Sequence, residues 1–211
     1  MVTSSATNIE PLDDPDVMLM IAVGNDDAYA FEEIVQRYQS RLFGILRHLI
    51  GDIDLAEDLT QEVFLRVYRY RKQYQPGSKF SSWIFTIANN VALNAIRTKR
   101  RHPESQFAES RNNSSDSTWS VADIIQAASS TIPARALDKL EMKEMVKLAI
   151  ESLNERQRMA VLLNKFEGMS YDEIANVMQM TQQGVKSLLC RARMNLKELL
   201  QPYLDNGLIP K

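Results

Sequence analysis

Apolar residues return at every third or fourth position through most of this chain, the period of helices that each bury one face. Asp14-Pro15 opens a first short helix, with Asp as cap and Pro in the first turn, and Gly24 closes it. A long helix is predicted from Ala28 to Ile50, with Phe31, Ile34, Val35, Tyr38, Leu42, Ile45, Leu46 and Leu49 in its stripe and Gly51 as terminator. A third begins with a capped start at Asp54 and runs to about Tyr74, with Leu55, Leu59, Val63 and Val67 on its buried face. Gln75-Pro76-Gly77 is a turn. A fourth runs from near Lys79 to Arg101 on Phe80, Trp83, Ile84, Ile87, Ala88, Val91, Ala95 and Ile96.

The pattern lapses between Pro103 and Pro133, where Ser, Asn and Asp accumulate. Residues 103–135 read as a flexible linker in which Trp119, Val121, Ile124 and Ile125 are unusual for a pure spacer. Helical spacing resumes over Leu137–Glu151 on Leu140, Met145, Leu148 and Ala149. Asn154 caps a helix over 155–166, with Gln157 at the third position after it and Gly168 beyond its end. The chain is therefore all-α: two small helical domains, 13–102 and 136–201, between polar tails at 1–12 and 202–211.

The second domain ends in a helix-turn-helix. Ser170-Tyr171-Asp172-Glu173 is a capping box, followed by a short stripe of Ile174, Ala175 and Met178. Gln179 and Met180 form the turn, and Thr181 caps a last helix buried through Val185, Leu188, Leu189, Ala192 and Leu196. Its other side carries Gln182, Gln183, Lys186, Ser187, Cys190 and Arg191, continued by Arg193 and Lys197, with no acid among them. Gln, Lys and Arg reach base edges and phosphates, and the N-terminal part of such a helix meets the bases. A lone basic helix is more often a solvated face. The turn spacing, the cap and the acid-free face favour DNA.

Composition adds limits. With 211 residues, 45% hydrophobic and 25% charged, the chain is long enough for one large or two small domains. A formal net charge of −2 is low for a nucleic-acid binder, so the charge must be segregated between faces. A single cysteine, Cys190, excludes an internal disulfide and fits a reducing cytoplasm. No apolar run reaches the ~20 residues a membrane span needs, and no signal segment is predicted.

The first domain shows that segregation. Asp52, Asp54, Glu57, Asp58 and Glu62 crowd one helix start, beside Gln61 and Phe64. They form either a docking surface for a polar or basic partner helix or simple compensation of the helix dipole. On the fourth helix, Asn90, Asn94, Arg97 and Arg101 make one polar stripe that ends in Arg97-Thr98-Lys99-Arg100-Arg101-His102. Cations suit a helix C-terminus anyway. Asn and Arg beside aromatics such as Phe80, Trp83 and Phe85 also suit single-stranded nucleic acid.

Two blocks resemble a known family. Asp54–Phe64 (DLAEDLTQEVF) and Phe80–Asn90 (FSSWIFTIANN) resemble the promoter-melting domain of bacterial sigma factors. Leu153–Leu163, Ser170–Ala175, Gly184–Ser187 and Arg191-Ala192-Arg193 resemble their promoter-distal domain. The two-domain form resembles an extracytoplasmic-function (ECF) sigma factor of the sigma-70 family. The resemblance implies that Asp54, Glu57, Asp58, Gln61, Glu62 and Phe64 dock on the β′ clamp helices of core RNA polymerase. It implies that the loop Tyr74–Lys79 and the face Asn90, Asn94 and Arg97, with Trp83, Arg100 and Arg101 beside them, hold the −10 element. One base would be flipped into a pocket near that loop, at a few kcal/mol of unstacking. Gln182, Gln183, Lys186, Ser187, Cys190, Arg191 and Arg193 would read the −35 element, while the second domain also touches the β flap. Many members carry Arg where this chain has Leu188, and a larger side chain than Cys190, so the −35 sequence does not transfer. The linker would lie along the RNA exit path, and an anti-sigma factor is a possible partner. The expected protein is a cytoplasmic monomer when free, with no cofactor.

Two other classes compete. A dimeric helix-turn-helix regulator acting without polymerase needs a palindromic site and leaves the first domain without a task. An enzyme lacks support: His48 and His102 have no metal-ligand spacing, Cys190 has no evident base, and no glycine-rich phosphate loop is present.

Overall fold

The computed structural model describes residues 14–101 and 145–205, with side chains to 201. Among these residues every regular element is helical. The predicted tail 1–12, the linker 103–135 and the helix start at Leu137–Leu140 lie outside them, as do residues 206–211 of the predicted tail 202–211, whose first four residues instead continue the last helix. The chain packs as two compact units divided after Asn94, within the last helix of the first bundle.

In the first unit, α1 spans Pro15–Gly24, α2 Ala28–Ile50 and α3 Ile53–Tyr70, with a 3-10 turn at Arg71–Gln73, and α4 begins at Phe80 and runs to Arg101, past the division. The starts are set by short acids whose side chains take orphaned amides. Asp14 accepts from the Asp16 amide at 3.0 Å, Asp27 from the Tyr29 amide at 2.9 Å, and Asp52 from the Leu55 amide at 3.1 Å. The cap of α3 is therefore Asp52 rather than Asp54, which lies inside the first turn. Gly51, at φ 74°, closes α2. The third helix stops at Tyr70, short of Tyr74, because the backbone tightens into the 3-10 turn.

The core joins Ile34, Tyr38, Leu42 and Leu46 of α2 to Val63 and Val67 of α3 and Phe80, Ile84 and Phe85 of α4. Phe31 and Val35, predicted in the α2 stripe, are only half-buried. On α3 the buried face is Ala56, Thr60, Val63, Phe64 and Val67, rotated from the predicted one, so Leu55 and Leu59 sit at its margin. Two of these are small, Ala56 and Thr60, and Thr60 satisfies its buried hydroxyl by donating to the Ala56 carbonyl at 2.7 Å. Phe64 is only 8% exposed and belongs to the core, not to the acidic surface where the sequence places it. Phe85 is likewise buried, with its ring 6.4 Å from Tyr38, so it offers no platform to a base. The Tyr38 hydroxyl donates to Asp16 at 2.5 Å, and burial raises its pKa far above the ordinary value.

In the second unit, the described part of a helix at 145–152 precedes α5 (Glu155–Lys165), α6 (Tyr171–Met178) and α7 (Gln182–Asp205). Ala149 and Ile150 point inward, whereas Leu148, predicted on the buried stripe, is 62% exposed. Asn154 and Gln157 complete a capping box at 2.9 and 3.3 Å. The half-buried Arg158 guanidinium donates to the Ile150 carbonyl at 3.1 Å, the Leu153 carbonyl at 3.0 Å and the Glu151 carbonyl, closing the end of the preceding helix. Met159, Leu162 and Leu163 of α5 fill the centre under Ile174 and Val177 of α6 and Val185, Leu189 and Ala192 of α7. Val177 takes the inward position predicted for Met178, which is half-buried, as are Leu188 and Leu196.

Candidate nucleic-acid interface

The helix-turn-helix is fixed by three local devices. The Ser170 hydroxyl accepts from the Glu173 amide at 3.2 Å and the Glu173 carboxylate accepts from the Ser170 amide at 2.8 Å, the two halves of the predicted capping box. Gln179 adopts φ 52°, ψ 52°, ending α6 and letting the Met180 amide reach the Ala175 carbonyl at 3.0 Å. The Thr181 hydroxyl then accepts from the Gly184 amide at 3.1 Å and starts α7. A Cβ at Gly184 would stand 2.9 Å from the Met180 methyl, the free end of a flexible side chain, and 3.2 Å from the capping Thr181 hydroxyl.

With Val185, Leu189 and Ala192 turned inward, Gln182, Gln183, Lys186, Cys190 and Arg191 are exposed on α7 and Ser187 is half-exposed. No acid occurs on this helix before Glu198. Arg193 is exposed but donates to the Tyr171 hydroxyl at 3.1 Å, so it also ties α7 to α6.

On α4, Asn94, Arg97, Arg100 and Arg101 are exposed and Asn90 is half-buried. Its neighbour Asn89 is buried, which fixes the rotation of the helix. Between the 3-10 turn and Phe80, residues 75–79 are exposed, Lys79 among them. Tyr74 packs edge-on against Trp83 at 4.9 Å and Phe80 at 6.1 Å. Its hydroxyl is buried and has no hydrogen-bond partner among the described residues. Burial, with the nearby Asp14 carboxylate, pushes its pKa up to about 12. Trp83 is half-exposed, leaving it available at the surface beside the loop.

On α3, Asp54, Glu57, Asp58 and Gln61 share the exposed face, while Glu62 is half-buried and ion-paired to Arg66 at 2.7 Å. Sequence reasoning missed Leu65, which is 60% exposed on that same face. It lies seven residues after Asp58, two helical turns along one side, and this spacing was the available signal. Tyr68 extends the strip, tilted on Phe31 at 5.2 Å and covered by the Arg71 guanidinium at 4.0 Å.

Among the described residues no helix is long and apolar enough to cross a membrane, and no cluster of His, Cys, Asp or Glu is placed to hold a metal.

Comparison with known proteins gives this geometry its family. Residues 34–102 match the family model for sigma-70 region 2, and residues 143–196 match that for sigma-70 region 4. The RNA polymerase sigma-H factor of Pseudomonas aeruginosa is 33% identical over 190 residues, covering 90% of this chain and 95% of that protein. The ECF RNA polymerase sigma-E factor of Escherichia coli K12 is 30% identical over 190 residues, 90% of this chain and 96% of its own length. Two solved structures share the fold. CnrH, solved in complex with the cytosolic domain of CnrY, has a TM-score of 0.61 at 21% identity over 90% of this chain and 99% of its own. The sigma factor RpoE of Bartonella quintana, solved with the anti-sigma factor NepR, has a TM-score of 0.58 at 24% identity over 81% and 96%. With both family regions present in order and near-complete overlap with curated relatives, the chain belongs to the ECF group of the sigma-70 family of RNA polymerase sigma factors.

Proposed function

We propose that the three surfaces divide the work of initiation along one chain. The α3 face of Asp54, Glu57, Asp58 and Gln61, with Glu62 at its edge, docks on the β′ clamp helices of core polymerase, and Leu65 adds an apolar anchor. Phe64 supports this face from below. The loop 74–79 and the α4 face of Asn90, Asn94 and Arg97, flanked by Trp83, Arg100 and Arg101, hold the opened −10 strand. The α7 face of Gln182, Gln183, Lys186, Ser187, Cys190 and Arg191 reads the −35 element, with Arg193 at its edge, and the second domain touches the β flap. In this reading the domains are 13–102 and 136–201, and the protein acts in the cytoplasm as a monomer until it meets core. Catalysis belongs to the polymerase, and no cofactor is needed.

The observation that carries the reading is the acid-free exposed face of α7, aimed by two side-chain caps, in a chain that also exposes an acidic α3. A partner that presents cations to α3 and promoter DNA to α7 satisfies both at once. The two structural relatives were solved with an anti-sigma factor or a cytosolic partner domain, which supports an inhibitory partner here as well. A stand-alone dimeric regulator gives the acidic surface no role. Run-off transcription from a promoter library tests the reading. Transcripts should require both core enzyme and this chain. A chain that protects promoter DNA equally well without core contradicts it.

A further inference from the structure

The ten-residue helix α1 has no part in any surface assigned above, yet it touches both ends of the loop 74–79. At its start, the Asp14 carboxylate is divided between two helices. Oδ1 accepts from the Asp16 amide at 3.0 Å and caps α1, while Oδ2 accepts from the Phe80 amide at 3.1 Å and so holds the first residue of α4. Just past its end, Asp26 accepts from Arg71 Nε at 2.9 Å and Nη2 at 2.8 Å and pairs with Lys72 at 3.0 Å, gripping the 3-10 turn that leads into Tyr74. The grip is close. A Cβ on Gly24 would stand 3.2 Å from the Arg71 carbonyl oxygen, so the end of α1 lies directly against that backbone. Asp26 adopts φ 65°, a conformation that few non-glycine residues take and that Asp tolerates. Asp16 anchors the strut itself to α2, accepting from Arg37 at 2.6 Å and Tyr38 at 2.5 Å.

We propose that α1 is a brace for the loop 74–79, with Asp14 and Asp26 as positioning residues that fix the two ends of the segment offered to the −10 strand. The proposal rests on the reading of that loop as a −10 contact. Between its clamped ends the loop has no regular structure and is exposed from Gln75 to Lys79, so its ends decide where it can go. A group held on rigid elements can capture a base without first being ordered.

The test uses full-length protein reconstituted with core polymerase on a duplex promoter. Open-complex formation, core affinity and hydrogen exchange of the loop amides are measured for Asp14→Ala, Asp14→Asn, Asp26→Asn, Tyr74→Ala and Lys79→Ala. Asn keeps one oxygen to cap α1 but turns an NH2 donor toward the Phe80 amide, so Asp14→Asn should slow opening while sparing the cap, and Asp14→Ala should slow it by roughly three- to tenfold, the range a lost side-chain cap supports. Asp26→Asn keeps a residue suited to positive φ but removes the charge, and should slow opening with faster exchange confined to the loop. Core affinity should not change for either aspartate position, which separates positioning from a general loss of fold. Asp26 is outside any helix, so its variant stands as a test even if Asp14→Ala unfolds. Parental opening rates and loop exchange in all three aspartate variants, with slow opening in Tyr74→Ala or Lys79→Ala, overturn the brace and keep the loop reading. Parental rates in Tyr74→Ala and Lys79→Ala overturn the loop reading and the brace with it.

Discussion

Lys186 and Arg191 stand exposed on one side of α7, five residues apart, with buried Val185, Leu189 and Ala192 behind them. Neutralising one phosphate releases about 0.9 of a counterion from duplex DNA. Lys186→Ala and Arg191→Ala are each expected to weaken promoter binding by the holoenzyme and to flatten the log–log salt dependence by about one. An unchanged slope removes that residue from the phosphate contacts. Ser170 tests the frame rather than the contact. Ser170→Ala removes one half of a capping box and should cost about 1 kcal/mol of stability, read as a lower thermal midpoint of the second unit. Tyr74 gives a pH prediction. Its folded pKa, about 12, lies above the ordinary value of 10.0, so its contribution is fully present below pH 10 and is lost as pH rises through 12. Alkaline unfolding of the first unit should therefore begin later in Tyr74→Phe, which removes both the titrating hydroxyl and its unmet hydrogen bond.

At the level of elements, helix existence and most helix ends were legible in the sequence because capping chemistry is local. Asp14, Gly51, Asn154, Ser170 and Thr181 all act where the pattern places them, within four residues of the helix-end groups they satisfy. The faces were less legible, since they depend on what lies opposite. On α3 the leucines at 55 and 59 outrank Ala56 and Thr60 in hydrophobicity, yet the small residues are the ones buried. The rotation takes Phe64 out of the docking face and puts Leu65 on it, while the acids keep their exposure. Asp58→Lys and Leu65→Glu are expected to lower affinity for core polymerase without changing the unfolding midpoint, because neither side chain contributes to the core. Core binding at the parental level for both variants would move the docking surface off α3. The same logic applies to α4, where Asn89 and Phe85 turn inward and leave Asn90, Asn94 and Trp83 nearer the surface.

Over the whole chain, the mild net charge of −2 reflects segregation of acids and cations onto different helices. Acids gather at the start of α3, and cations gather at the end of α4 and along α7. A DNA reader with a net negative charge is poorly steered to DNA by itself, so its affinity depends on the polymerase that holds it. Both halves of this pattern could be read from residue order. The brace made by Asp14 and Asp26 could not, because it links residues 14 to 80 and 26 to 71, pairings that only the folded chain creates. The central claim is that one chain uses both charged faces on a single promoter, and only in the company of core. Footprinting the −10 and −35 elements with core alone, with this chain alone and with both tests it most directly. Protection of both elements and strand opening at −10 should appear only with both proteins present. Protection of a palindromic site by this chain alone, with half-sites about one helical turn apart, would contradict it.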